Sequence, residues 1–168
     1  MTGKHGDEPG KFDSPACSMH EADDTYMGFA GPDEIVPLLQ ELLEAERAGA
    51  RVALQSARDA VDERIAELMR AIHHDEAAWC AMLASHIKAL GQPPSMQVGD
   101  FYGKAMAIGD LYQRIAFLNR GQAWVVRRLR EMLPRLRDAA LHKDLSRMLL
   151  AHEANIDRAT DVIRPTPR

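Results

Sequence analysis

A chain of 168 residues, 46% hydrophobic and 27% charged, is long enough to bury one core and reads as one domain. Its formal net charge of −4 excludes an overall polyanion binder, and two cysteines, Cys17 and Cys80, exclude a disulfide framework. No stretch approaches the roughly 20 apolar residues of a membrane span and no apolar leader follows Met1, so the expected compartment is the cytoplasm.

Residues 1–31 read as an extended or disordered arm rich in Gly, Pro, Asp and Ser. Within it, Cys17, His20, Glu21 and Asp23 form a weak metal signal, because structural zinc needs four ligands at paired spacings. Met19, Tyr26, Met27 and Phe29 suit a tail that docks on the body instead. Pro32, Asp33 and Glu34 suit a helix start, and a first helix is expected over 33–58. A second follows a short connection at 59–62 and stops at Leu90, where Gly91 and Pro93-Pro94 end it. Residues 91–103 read as a long crossover with a short helical turn near 101–105. The third helix runs to about Leu133, where Pro134 ends or kinks it; the fourth covers 138–163, and 165–168 form a tail. Strand signals are nearly absent, so the class is all-α. Short links inside each pair of helices and a long one between them predict an antiparallel four-helix bundle over 32–164, with the crossover between helices two and three.

Polar residues interrupt all four apolar stripes near mid-helix: Glu46 on the first, Glu76 on the second, Asn119 with Gln122 on the third, His152 with Asn155 on the fourth. Their common depth predicts a shared polar layer inside the bundle. Buried carboxylates cost several kcal/mol unless paired, protonated or metal-bound, so this layer is where function is expected.

The run Gln40 to Arg47, with Glu46 in it, resembles the first helix of bacterioferritin-like and rubrerythrin-like proteins of the ferritin-like superfamily. Asp75-Glu76-Ala77-Ala78-Trp79 and the exit Leu90-Gly91-Gln92-Pro93 resemble their second. The resemblance covers about residues 33–163 and implies a ferritin-like bundle with a di-iron centre built from a Glu on two helices and a Glu-x-x-His on the others. This chain departs from that pattern: Trp79 stands at the second-helix His, Asn119 at the third-helix Glu, and His152-x-x-Asn155 at the fourth-helix Glu-x-x-His. Two carboxylates bridge and neutralise two divalent ions poorly, so a complete di-iron oxidase site is not expected. The chain looks more like a bacterial branch of the superfamily with a degenerate site than like a storage ferritin.

Two readings follow. In the first, Glu46, Glu76 and His152 hold one Fe, Mn or Zn ion for oxidoreductase-type chemistry. Asn119, Gln122 and Asn155 then orient ligands or a water, His73 adds a nitrogen or fixes Glu76, and Trp79 fills the space of a second ion. In the second, the layer is a metal-free relic that sets helix register in a structural or partner-binding bundle. No organic cofactor, nucleic acid or membrane is indicated, and a homodimer is the expected assembly. The arginines Arg127, Arg128, Arg130, Arg135 and Arg137 are explained by the helix dipole and by pairing with Glu131 and Asp138.

Overall fold

A computed structural model describes residues 27–164. The helices are α1 (Pro32–Asp59), α2 (Glu63–Ala89), α3 (Phe101–Met106), α4 (Leu111–Met132) and α5 (Ala139–Ile163), with a 3-10 turn at Leu133–Arg135. No strand occurs among the described residues, and none of their helices is long and apolar enough to cross a membrane. The Cys17–Asp23 signal and the tail 165–168 lie outside the described residues.

Local chemistry accounts for most helix ends. Pro32 enters α1 where a missing N–H is harmless, and Asp33 and Glu34 face the positive end of its dipole. Pro37 lies inside α1. Three aspartates cap the later helices: Asp62 accepts from the Arg64 amide, Asp110 from Gln113 and Asp138 from Leu141. Such a cap contributes about 1 kcal/mol. α2 closes through a Schellman motif: Gly91 sits at a φ of 76°, while the Gly91 and Gln92 amides donate to the Lys88 and Ile87 carbonyls. The short helical turn expected near 101–105 is a separate helix, and Ile108 lies between it and the third long helix. α3 ends at Met106, and a new helix starts at Leu111 behind Gly109 and the capping Asp110.

The four long helices close a ring: α1 packs on α2 and α4, and α5 packs on the same two. α1 and α5 are not backbone neighbours, nor are α2 and α4. Along the α1–α4 seam, Arg114 pairs with Asp59 at 2.5 Å, Arg128 with Glu41 at 3.0 Å and Arg135 with Glu34 at 2.8 Å. Along the α2–α5 seam, His86 meets Asp144 at 2.9 Å and Asn155 donates to Asp75 at 3.1 Å. The crossover is laid on α1 by side-chain bonds: Gln40 donates to the Pro93 carbonyl, the Ser95 hydroxyl to Glu44, and Arg47 to the Gln97 carbonyl.

The core has two apolar parts. One gathers Leu39, Leu42, Leu43, Leu83, Ile87, Leu129, Leu145 and Met148; the other gathers Val52, Ile65, Met69, Ile72, Ile115 and Leu118. Full burial of each such side chain stabilises by ~1.5–3 kcal/mol, so these parts hold the ring together. Between them the buried residues turn polar, at Glu46, Glu76, Gln122 and His152.

Candidate metal centre

Each polar residue arrives at this level through helical periodicity. Glu46 continues the buried α1 face of Leu39, Leu42 and Leu43. Glu76 follows Ile72 by one turn, Gln122 follows Leu118 by one turn, and His152 follows Met148 by one turn. The side chains then reach across the ring along both diagonals. His152 Nε2 lies 3.0 Å from Glu46 Oε1, and Gln122 Nε2 donates to Glu76 Oε1 at 3.3 Å.

Ligand atoms of Glu46, Glu76 and His152 all lie within 4.8 Å of one another. That spread is close to the ~3–4 Å expected around one ion with ligand bonds near 2.1 Å. Relative exposures of 2%, 3% and 1% mean that water does not solvate these groups, so each charge needs a partner inside the protein. Partners are incomplete: Glu46 Oε2, Glu76 Oε2 and Gln122 Oε1 are buried without a hydrogen bond from the protein. All three are acceptors, the demand that a cation or a donor answers.

The histidine is already oriented as a ligand. Its Nδ1 is 3.0 Å from the Met148 carbonyl, which can only accept, so Nδ1 carries the proton and Nε2 is the nitrogen aimed at the carboxylates. Electrostatics follow from crowding. Burial, reinforced by the Glu46 charge, pushes the Glu76 carboxyl well above the ordinary range, and the bond from Gln122 only partly offsets this. Burial also disfavours the His152 imidazolium. The Glu46 charge and hydrogen bond, with the Met148 carbonyl, outweigh that, and its pKa is raised. Both groups thus hold a proton more tightly than they would in water, and a divalent ion on them would take the place of those protons.

Small residues make the room. A Cβ at Gly49 would sit 2.6 Å from Glu76 Oε2, so only glycine admits the carboxylate there. A Cβ at Gly121 would sit 2.7 Å from the Phe101 ring, and this glycine lets the crossover seat its aromatic on α4. Beside the charged group opens a cavity of about 420 Å³, lined by residues of α1, α4 and the 99–101 segment. Glycines three residues after Glu46 and one before Gln122 are visible in the sequence as breaks in helical patterns, the one signal that could have located this space.

The remaining candidates lie outside the triad. Asn119 is half-buried and turned to α5, where it donates to the Ile156 carbonyl and Thr160 Oγ1. The buried α4 stripe runs through Ile115, Leu118 and Gln122, which leaves 119 on its flank, so the expected place of Asn119 in the layer is corrected. Asn155 is buried, yet its amide serves Asp75. His73 Nδ1 is 2.8 Å from the Ala50 carbonyl and ties α2 to α1. Trp79 packs on the apolar part around Leu83 and does not line the cavity; its Nε1 is buried without a protein partner. Half-buried Cys80 was not singled out from the sequence. Burial, with the Glu46 and Glu76 charges, pushes its thiol up to about 11, so it is protonated at neutral pH. The arginines pair as surface groups, Arg128 with Glu41 and Glu131, Arg130 with Glu153 and Arg135 with Glu34, while Asp138 is an α5 cap.

An all-α protein with a buried Glu–Glu–His group beside an open cavity is the class these observations define. The chain belongs to DUF6306, a domain of unknown function, whose family model matches residues 33–161. No curated protein and no solved structure matches the chain.

Proposed function

We propose that this is a ferritin-like, antiparallel four-helix bundle holding one divalent ion, Fe, Mn or Zn, on Glu46, Glu76 and His152 for oxidoreductase-type chemistry. The ring order of the helices supports the fold reading, as do the seams. Residues 114, 128 and 135 of the α4 side meet residues 59, 41 and 34 of the α1 side, so one numbering rises as the other falls. The crossover along α1 supplies the long connection that such a bundle needs.

The observation that carries the metal reading is the convergence of three buried ligand atoms within 4.8 Å, with His152 already tethered through its other ring nitrogen. Two carboxylates and one imidazole suit Fe, Mn or Zn, and three protein ligands leave positions open for water or substrate. When bound, such an ion supplies Lewis acidity, and Fe or Mn adds one-electron chemistry. Glu46 and Glu76 balance its charge, Gln122 holds Glu76 in place, and Gly49 keeps the carboxylate's position free. The donor set serves one ion, because no further carboxylate joins the group among the described residues.

A second reading has a specific observation in its favour. The Glu46–His152 contact and the Gln122–Glu76 bond already cross-link both diagonals without an ion, as a register-setting polar layer would. Elemental analysis by inductively coupled plasma mass spectrometry separates the two. The metal reading predicts a single Fe, Mn or Zn per chain in untagged protein and its loss in Glu76→Gln. Absence of stoichiometric metal after reconstitution, or unchanged metal in the variant, would overturn it.

A further inference from the structure

We infer that the cavity beside Glu46, Glu76 and His152 binds a small, uncharged, apolar molecule, held by shape and by the release of water. At about 420 Å³ it falls within the ~300–1,000 Å³ of small-molecule sites. Its walls are mainly apolar, with Ala45 and Ala48 on α1, Phe101 on α3, and Phe117, Trp124 and Val125 on α4. Walls of this kind gain by leaving water, and so does an apolar guest that fits them.

Polar groups divide between the floor and the rim, and neither set favours a charged guest. On the floor, Glu46 Oε1 is engaged by His152 and Glu76 Oε1 by Gln122, while Glu46 Oε2, Glu76 Oε2 and Gln122 Oε1 are buried out of a guest's reach. At the rim, charges of both signs meet solvent: Glu41, Asp100 and Arg120 are exposed, and Glu44 is half-buried. Arg120, the one arginine of the lining, lies over the Phe117 ring at 5.1 Å from its centroid, so ring and water already serve its charge. An anion that gains Arg120 meets Glu41, Glu44 and Asp100 on the same rim; an ammonium that gains one of these meets Arg120. Either would also give up its hydration against walls that return little. An uncharged guest avoids both costs. As a substrate site this inference rests on the metal reading; as a binding site it stands on the cavity alone.

Toluene, benzoate and benzylamine share one ring and differ in charge. The test is a titration of the full chain with each, metal-stripped and zinc-loaded, followed by amide chemical shifts. Toluene should give saturable shifts at Gly49, Gly121 and Trp124, with nuclear Overhauser contacts from its protons to the Phe101 and Val125 side chains. It should bind at least ~10-fold more tightly than either charged compound. Arg120→Gln should leave toluene affinity unchanged. Ala45→Phe, which fills the cavity from α1, should abolish the shifts; the contacts to Phe101 and Val125 in the unaltered chain carry the test if that variant does not fold. Failure of the metal reading is visible separately, as absent metal beside intact toluene binding in the stripped protein. Non-saturating shifts, missing contacts to Phe101 and Val125, or benzylamine bound as tightly as toluene would overturn the inference. So would benzoate bound as tightly as toluene and released by Arg120→Gln, which would make Arg120 the anchor of an anionic ligand.

Discussion

The two apolar parts of the core and the polar level between them are built by the same helices under opposite rules. In the apolar parts, Leu39, Leu43, Met69, Ile72 and Leu129 are fully buried side chains with no hydrogen-bonding group to satisfy. At the polar level, small residues withdraw, a cavity opens, and three acceptor oxygens stay unpartnered. Apolar packing therefore resides in the flanks and the unsatisfied polar groups in the middle. A bundle needing only stability would continue leucines through positions 46, 76, 122 and 152, since buried charges seldom improve on well-packed hydrophobes.

This division can be broken at either end. Leu129→Ala should cost about 2–5 kcal/mol in chemical denaturation with metal content per folded chain unchanged. Metal loss from Leu129→Ala would mean that the flank and the centre are not separable. Chelation acts on the centre alone: if free ion stands at about 100 times its dissociation constant, its removal should lower stability by about 2.7 kcal/mol. An unchanged melting temperature after complete chelation would favour the register-layer reading.

Gly49→Ala sharpens the comparison by its sign. Glycine to alanine within a helix ordinarily stabilises by about 0.5–1 kcal/mol. Here the new Cβ would meet the Glu76 carboxylate at 2.6 Å, so a cost of about 1–3 kcal/mol and reduced metal affinity are expected. Equal or greater stability would show that Glu76 has another place to go.

Titration gives a further contrast. In metal-free protein, the raised pKa of Glu76 and that of His152 both mean that the folded state holds protons more tightly than the unfolded chain. The contribution of Glu76 is complete below 4.5, its ordinary value, and that of His152 below 6.5; each is lost as pH rises through the folded pKa. Metal-free stability should fall with rising pH by at most about 1.4 kcal/mol per unit for each group, while metal affinity rises over the same range as the competing protons leave. Denaturation midpoints measured with and without chelator across that range would reveal the crossing trends. The smallest effect belongs to the surface. Arg128→Ala removes exposed pairs with Glu41 and Glu131 and should change stability by no more than about 1 kcal/mol.

Much of this was legible in the chain. Helix ends written in local chemistry, such as Pro32 with its acidic turn and Gly91 before Pro93, appear where the sequence places them. Glu46, Glu76 and His152 stand out because a charge in an apolar stripe is conspicuous at a period of 3.6 residues. Asn119 misled because two polar residues three apart on α4 both lie near the stripe. Which one faces inward depends on the helix's rotation against its neighbours, and Leu118 and Gln122 take that face. Asn155 misled differently, since its depth was right but its partner, Asp75 on α2, is set by packing between helices. Phe101 and Gly121 both line the cavity; the glycine is visible as a break in a helical pattern, but its meeting with Phe101 joins two segments and is not encoded locally.

Anomalous X-ray scattering at the absorption edge of the loaded metal tests the central claim most directly. The account predicts one peak, bonded to Glu46, Glu76 and His152 Nε2. No peak there in metal-loaded crystals, or a pair of adjacent peaks, would contradict a single-ion centre.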